Sequence, residues 1–252
     1  MAFSPEEVER YARHLVLREI GGPGQQALAA ARVLVVGAGG LGSPAALYLA
    51  AAGVGTIGIV DPDTVSLSNL QRQVLFAAAD VGRPKVTAAV QALGALNPHV
   101  VVEPHLAPLD ATNAGELVAD YDLVLDGTDD FATRFCVSDA CVDHRKPLVS
   151  GALGRWTGQV GVFEGRPCYR CLTPEIPPDA ETCAVVGVVG ALAGVIGSMM
   201  ALEAVKIITG AGEPLAGRLL IYDGLAGQTR TVKIGADPEC PSCGQSSASL
   251  VR

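Results

Sequence analysis

Arg32-Val33-Leu34-Val35-Val36-Gly37-Ala38-Gly39-Gly40-Leu41-Gly42-Ser43 decides the fold. A short apolar, β-branched run passes without a break into a glycine-rich loop, and an Ala/Leu-rich stretch continues from Ser43 to Gly53. A buried strand that feeds a Gly-x-Gly-x-x-Gly turn opening a helix is the first half of a βαβ unit of Rossmann type. Gly37 and Gly39 allow a sharp turn and close approach of the backbone to a ligand, and Gly42 lets the helix lie against the strand. The first amides of that helix attract phosphate. Thr56 to Val60 is the next buried strand, and Asp61 closes it where a carboxylate can accept from ribose hydroxyls.

Outward from this unit the alternation continues. The sequence predicts a helix from about Pro84 to Leu96, a strand at Val100 to Glu103, a helix near Asn113 to Ala119, and a strand at Leu123 to Asp126. A helix from Phe131 to about His144 and a strand at Pro147 to Ser150 follow. Repeated βα alternation means a Rossmann-like, mainly parallel sheet with helices on both faces, and ligands at the carboxyl ends of its strands. Beyond Gly151 the texture changes. Gln159 to Phe163 alternates like a strand, a Pro-rich loop spans Pro174 to Asp179, an apolar helix comes next, and Leu219 to Asp223 and Thr229 to Ile234 read as two C-terminal antiparallel strands. Upstream, Ser4-Pro5-Glu6-Glu7 is a capping-box start for an N-terminal helix over residues 4–19, which Gly21-Gly22-Pro23-Gly24 should break.

With 252 residues, 49% of them hydrophobic, the chain can bury one large core. A formal net charge of -8 and the absence of a Lys/Arg run exclude a nucleic-acid binder. Glu6, Glu7 and Glu9 stand where a signal peptide would be basic and then apolar, so the expectation is a cytoplasmic protein. Ala184 to Leu202 is uncharged and long enough to cross a bilayer. We read it instead as a packed helix and expect no membrane association, because Gly187, Gly190, Gly194 and Gly197 make a small-residue ridge suited to close packing on a sheet or a partner subunit.

The glycine loop and Asp61 fit a dehydrogenase equally well. The segment Asp61-Pro62-Asp63-Thr64-Val65-Ser66-Leu67-Ser68-Asn69-Leu70-Gln71-Arg72-Gln73 and the following Val81-Gly82-Arg83-Pro84-Lys85 do not, because a nicotinamide needs no dense positive charge. Attack on the α-phosphate of a triphosphate does need it, spread over Arg72, Lys85 and Mg²⁺. Asp129, just beyond the strand Leu123 to Asp126, is the natural magnesium carboxylate, with Asp130 beside it.

Seven cysteines without a secretory leader point to metal or redox chemistry rather than a disulfide framework. Cys168-Tyr169-Arg170-Cys171 and Cys240-Pro241-Ser242-Cys243 are two distant Cys-x-x-Cys pairs. Either alone could be a redox motif, but together they supply the four thiolates of a closed, structural Zn²⁺ site. Cys136 and Cys141 have apolar helical neighbours and read as core.

These motifs, with Arg10-Tyr11-Ala12-Arg13-His14 and Asp126-Gly127-Thr128-Asp129-Asp130, strongly resemble the MoeB/ThiF family of adenylyltransferases, bacterial relatives of ubiquitin-activating enzymes, most of all its molybdopterin-synthase branch. The likeness covers nearly the whole chain. It implies that Gly40, Asp61, Ser68, Asn69, Leu70, Gln71, Arg72, Lys85 and Asp129 line an ATP site, with Asp129 holding Mg²⁺, and that the protein is a homodimer in which Arg13 serves the neighbouring subunit. It implies that Cys183 corresponds to a cysteine some relatives link covalently to their carrier. Two departures stand out. The family's Thr-Asp-Asn is Thr128-Asp129-Asp130 here, placing a second negative charge at the metal, and its Cys-Ala-Glu-Ala-Gly is Cys183-Ala184-Val185-Val186-Gly187.

The resemblance further implies one domain over residues 1–245, with a nucleotide-binding part at 32–150, a carrier-binding and zinc part at 151–245, and a flexible tail at 246–252. The implied reaction is ATP-dependent adenylation of the C-terminal glycine of a small ubiquitin-like sulfur-carrier protein ending in Gly-Gly, with pyrophosphate released. Such activation precedes thiocarboxylate formation, in molybdopterin synthesis before the thiamine, cysteine or tRNA-thiolation pathways. No rhodanese-like domain follows Gly244, so the sulfur donor is expected to be a separate protein. The competing readings are an NAD-dependent oxidoreductase and an inactive carrier-binding scaffold.

Overall fold

The structure is a computed structural model that describes residues 3–176 and 187–244. Its strands are β1 (Arg32–Val36), β2 (Thr56–Val60), β3 (Val101–His105), β4 (Leu123–Asp126), β5 (Leu148–Leu153), β6 (Thr157–Phe163), β7 (Arg218–Asp223) and β8 (Gln228–Lys233). They form one eight-stranded sheet in the order β3-β2-β1-β4-β5-β6-β7-β8. The first five of that order are parallel, and β6, β7 and β8 are added antiparallel. The expected mixed α/β sheet, with a parallel core and antiparallel C-terminal strands, is what forms.

The helices are α1 (Pro5–Arg10), α2 (Ala12–Leu15), α3 (Gly21–Ala30), α4 (Gly42–Ala52), α5 (Lys85–Leu96), α6 (Ala114–Ala119), α7 (Phe131–Asp143), α8 (Tyr169–Leu172) and α9 (Gly190–Thr209). Successive side chains of a strand point to opposite faces. Val33 and Val35 therefore join Leu28, Leu49, Leu93 and Met200 in one core, while Leu34 and Val36 join Val118, Val137 and Tyr169 in the other. Helices α3, α4, α5 and α9 cover the first face, and α6, α7 and α8 the second. After β1 the chain builds outward through β2 to β3, then returns to place β4 on the other side of β1. The β1/β4 junction is thus the topological switch point, where two diverging loops open a crevice.

Four local expectations are corrected. The N-terminal helix is broken at Tyr11, whose ring is 4% exposed and whose hydroxyl accepts from Asn97 Nδ2 at 2.8 Å. Burying that ring overrides continuous helix propensity. Gly21-Gly22-Pro23-Gly24 starts α3 instead of merely ending a helix, since Pro in a first turn gives up an amide that has no helical acceptor anyway. β3 runs on through Pro104, which an edge strand tolerates. β5 extends past Ser150 because Gly151 to Leu153 pair with β6, a partner that local sequence does not reveal.

Helix α9 is, among the described residues, the one helix long and apolar enough to cross a membrane. It packs on α3, α4, β5 and β6 and buries Leu192, Ala193, Ile196, Met200 and Ala204. The glycine ridge is real in part. A Cβ on Gly190 would overlap the Gln71 carbonyl, and one on Gly197 would lie 2.5 Å from Leu41 O, whereas Gly194 faces open space and Gly187 precedes the helix at φ +76°.

Candidate active site

A cleft of about 510 Å³ lies at the carboxyl ends of β1, β2 and β4. Its floor is the glycine loop. Gly37 turns at φ +84°, and a side chain there would begin 3.3 Å from Thr128 Cγ2; a Cβ on Gly42 would overlap the Gly37 carbonyl. The two glycines thus serve the turn and the helix approach, as read from the sequence. Gly37, Gly39 and Gly40 line the cleft, and Gly42 lies buried beneath them.

Asp61 is 4% exposed, and both of its oxygens are engaged. Oδ2 accepts from Ala38 N at 2.8 Å and Oδ1 from Asp63 N at 2.9 Å, so Asp61 fixes the glycine loop as well as walling the cleft. Lys85 opens α5. Its backbone N donates to Asp63 O, and its Nζ lies 2.8 Å from Asp63 Oδ2 and 3.5 Å from Asp61 Oδ2. The ammonium group is held by two carboxylates of opposite character, one buried and one 65% exposed. Asp63 escaped the sequence reading as a functional residue, although Asp61-Pro62-Asp63 displayed the pair.

From Ser66 to Gln73 the chain coils. Ser66 caps a 3₁₀ turn over Leu67–Asn69, and the turns continue so that Asn69, Arg72 and Gln73, at i, i+3 and i+4, share a face. These three line the cleft; Ser68, Leu70 and Gln71 do not. Leu70 packs on the core, Ser68 is exposed, and the Gln71 carbonyl abuts α9. Arg72 curls back, its Nη1 donating to Ser68 O at 3.1 Å, with its aliphatic stem over Gly40.

The opposite wall is the loop after β4. Asp126 Oδ1 accepts from Thr128 N at 3.0 Å and Thr128 Oγ1 at 2.6 Å. Asp129 is exposed and lines the cleft. Asp130 also lines it, but its carboxylate is the N-cap of α7, accepting from Thr133 N at 2.8 Å and Thr133 Oγ1 at 2.7 Å. Partial burial works against the Asp130 charge, yet these hydrogen bonds prevail and its pKa is lowered. The second negative charge is therefore turned to a helix N-terminus, where Asp and Asn cap about equally well.

Arg134 was not legible as a site residue. It is 5% exposed and donates to Thr128 O, to Gly151 O at 2.6 Å and to Ser150 Oγ at 3.3 Å, beside Asp126 Oδ2 at 3.7 Å. Ser150 Oγ in turn donates to Asp126 Oδ2 at 2.8 Å. One guanidinium thus ties the β4 loop that carries Asp129 to β5. A lone Arg inside Phe131-Ala-Thr-Arg134-Phe reads as a helix's solvent side; only the i+4 spacing from Asp130 hints that it faces inward.

At the antiparallel end, Cys168, Cys171, Cys240 and Cys243 place their sulfurs within 4.8 Å of one another. Cys168 Sγ is 3.5 Å from Cys240 Sγ and Cys171 Sγ is 3.4 Å from Cys243 Sγ, too far for disulfides and close to the edges of a sulfur tetrahedron around a metal. Asp237 N donates to Cys171 Sγ at 3.4 Å. Arg170 grips Asp139 of α7 with three contacts of 2.7 to 3.1 Å and lies over the Phe135 ring, joining the knuckle to the main domain. Cys141 is buried and Cys136 half-buried among apolar neighbours, as expected of core cysteines. Cys183 lies outside the described residues.

The ThiF family model matches residues 11–242. This chain belongs to the ThiF family. The sulfur carrier protein adenylyltransferase of Thermus thermophilus is 49% identical over 97% of this chain and 93% of its own length. The molybdopterin-synthase adenylyltransferase of Escherichia coli K12 is 47% identical over 96% of this chain and 98% of its own. Among solved structures, that of PaaA superposes with a TM-score of 0.80 at 28% identity, covering 92% of this chain and 75% of its own.

Arg13, carried into the site by family likeness, is exposed on α2 and is not among the residues lining the ThiF cleft of its own chain. On the other side of α4, Pro44, Leu47, Tyr48, Val74, Gly194 and Val195 line an apolar groove, with Tyr48 and Val74 each 59% exposed.

Proposed function

We propose that this ThiF-family protein binds ATP and Mg²⁺ in the cleft and adenylates the C-terminal glycine carboxylate of a small ubiquitin-like sulfur carrier. The observation that carries the reading is the convergence of Arg72, Lys85 and Asp129 on one glycine-floored cleft. The carboxylate attacks the α-phosphorus, the bond to the β,γ-pyrophosphate breaks, and an acyl-adenylate and pyrophosphate result. A carboxylate is already ionised at neutral pH, so no general base is required. The protein's part is positioning and charge: amides of the glycine loop cradle phosphate, Arg72 and Lys85 spread the developing negative charge, and Asp61 and Asp63 hold Lys85 in place. The Asp129 carboxylate suits Mg²⁺, whose contribution is to neutralise phosphate oxygens.

The four-cysteine set fits a structural Zn²⁺, since soft thiolate donors fill all four positions. We read residues 1–245 as one domain, because cleft and knuckle are built on one continuous sheet; the tail expected at 246–252 lies outside the described residues. We further read the protein as a cytoplasmic homodimer. Support comes from the apolar groove between α4 and α9 and from the family likeness, which assigns exposed Arg13 to the cleft of a neighbouring subunit. Molybdopterin synthesis is the pathway we favour.

The test is to mix the purified protein, ATP and Mg²⁺ with candidate carriers and look by mass spectrometry for the AMP adduct. A molybdopterin-type carrier should acquire it fastest. Preference for a thiamine, cysteine or tRNA-thiolation carrier would move the enzyme to that pathway, and absence of any adduct would refute adenylation.

A further inference from the structure

Arg13 is exposed on α2 and, among the described residues, makes no hydrogen bond or ion pair. The other polar residues of Arg10-Tyr11-Ala12-Arg13-His14 are all engaged. Arg10 Nη1 donates to Leu96 O at 3.0 Å, at the C-terminus of α5. Asn97 Nδ2 donates to Ala50 O at 2.7 Å and to the Tyr11 hydroxyl at 2.8 Å, while its Oδ1 accepts from His99 N at 3.2 Å, which fixes the orientation of the amide. Gln25 Nε2 donates to Ala52 O at 2.8 Å, so its Oε1 is the acceptor for the His14 Nδ1–H at 2.9 Å. The Tyr11 ring fills the space that a side chain on Gly53 would need. Gln25 and Asn97 are wholly buried. Two buried amides thus seat Tyr11 and His14 on the C-terminal end of α4, on either side of Arg13 in the chain.

That end is remote from the chain's own cleft. Helix α4 starts beneath the glycine loop and its 11 residues span roughly 16 Å, with α2 at the far end. The apolar groove connects the two ends, with Pro44, Leu47, Tyr48 and Ala51 at helical spacing along it. At its cleft end are Val74, next in sequence to the cleft residue Gln73, and Gly194, next to the Ala193 that faces Gly40. At its other end is Leu96, whose carbonyl holds Arg10. A two-fold pair uses the same patch on both copies. Joined groove to groove with the α4 helices antiparallel, the Ala51 end of one copy lies over the Pro44 end of the other, and each Arg13 is carried toward the other copy's cleft. Exposed Val8, Val16 and Leu17 around Arg13 extend the apolar surface that such a pairing covers.

We propose that Tyr11 and His14 are positioning residues for the neighbouring subunit's reaction: seated on Asn97 and Gln25, they fix α2 so that Arg13 enters the other copy's cleft. This rests on the adenylation and homodimer reading. Its consequence is that substitutions in the seats damage a cleft the altered chain does not itself contain.

The experiment uses dimers of two differently tagged, co-expressed chains, assayed for adenylation of a molybdopterin-type carrier ending in Gly-Gly. The Tyr11→Phe homodimer should lose about tenfold in kcat. Paired with an Asp129→Asn chain, whose α2 is intact, the Tyr11→Phe chain's cleft should recover and give about half the wild-type activity per dimer, one of two clefts working. With both substitutions in one chain and wild type as the other, the one working cleft should stay at the tenfold-reduced level. His14→Ala, a smaller disturbance of the core, should repeat the pattern. The opposite pattern, an impaired cleft beside Asp129→Asn and an undamaged one beside the double variant, would show that the seats act only on their own chain and would overturn the proposal. So would a wild-type protein that is active but monomeric by light scattering. Arg13→Ala tests the footing: if it is fully active, the arginine's service to the neighbouring cleft fails and the seats with it. If Arg13→Ala is impaired while Tyr11→Phe and His14→Ala match wild type, only the seats fail. Absence of any adenylate from wild type would refute the function itself.

Discussion

At the β1/β4 junction the charged side chains are held by one another and by backbone: Lys85 between Asp61 and Asp63, Asp126 between Thr128, Ser150 and Arg134, and Asp130 on the start of α7. At the far end of the sheet, the cysteine knuckle contains four thiols converging on one point, and it joins a loop after β6 to the chain after β8. On the proposed function the first region serves a ligand that comes and goes, and the second holds a structural metal with four sulfurs that lie within 4.8 Å of one another. Damage to the cleft should therefore show in turnover with the fold intact, and damage to the knuckle in stability with the chemistry of surviving molecules intact.

The sharpest break of this contrast is Asp129→Asn, which should lower adenylate formation by about a hundredfold or more while the far-ultraviolet spectrum and bound zinc stay those of wild type. Undiminished turnover would remove Asp129 from the mechanism. Cys168→Ser or Cys240→Ser should abolish stoichiometric zinc, measured by elemental analysis, and lower the melting temperature by roughly 10 °C. If the variant melts with wild type, the knuckle is not a stabilising metal site.

Arg134→Lys blurs the division on purpose. Lysine keeps the charge beside Asp126 but loses the fork that reaches both Thr128 O and Gly151 O, so carrier kcat/KM and stability should both decline, the latter by about 2 kcal/mol in a urea titration. A purely kinetic effect would mean that the clamp is not structural.

Asp130→Asn should do least, leaving adenylation within about twofold and stability within about 0.5 kcal/mol at pH 7. Its pH dependence is the finer test. The folded-state pKa of Asp130 is lowered, so its stabilisation is present above the unfolded carboxylate pKa and is lost as pH falls through the folded value. Acid titrations should therefore show wild type losing more stability than Asp130→Asn below about pH 4.

What could be read from the chain followed the reach of the interactions. The β1 strand, the glycine loop, α4 and β2 are specified by neighbours in sequence, and Gly53 ends α4 in a left-handed turn as its position promised. The C-terminal half of β5 depends on β6, and the break at Tyr11 depends on Asn97, 86 residues away, so neither had a local signature. Family likeness drew the whole run from Ser68 to Arg72 into the site, but the coil presents Asn69, Arg72 and Gln73 to the cleft and turns the others away. Arg134 and Gln73 went unnoticed for a common reason: a polar residue amid apolar ones reveals its role only when its burial and partners are known.

The most direct test of the central claim is exchange of labelled pyrophosphate into ATP. Wild-type protein should catalyse it only when a carrier with an intact C-terminal Gly-Gly carboxylate is present, and not when that carboxylate is amidated. Exchange indifferent to the carrier's terminus, or none with any carrier alongside turnover of a nicotinamide cofactor, would contradict the account.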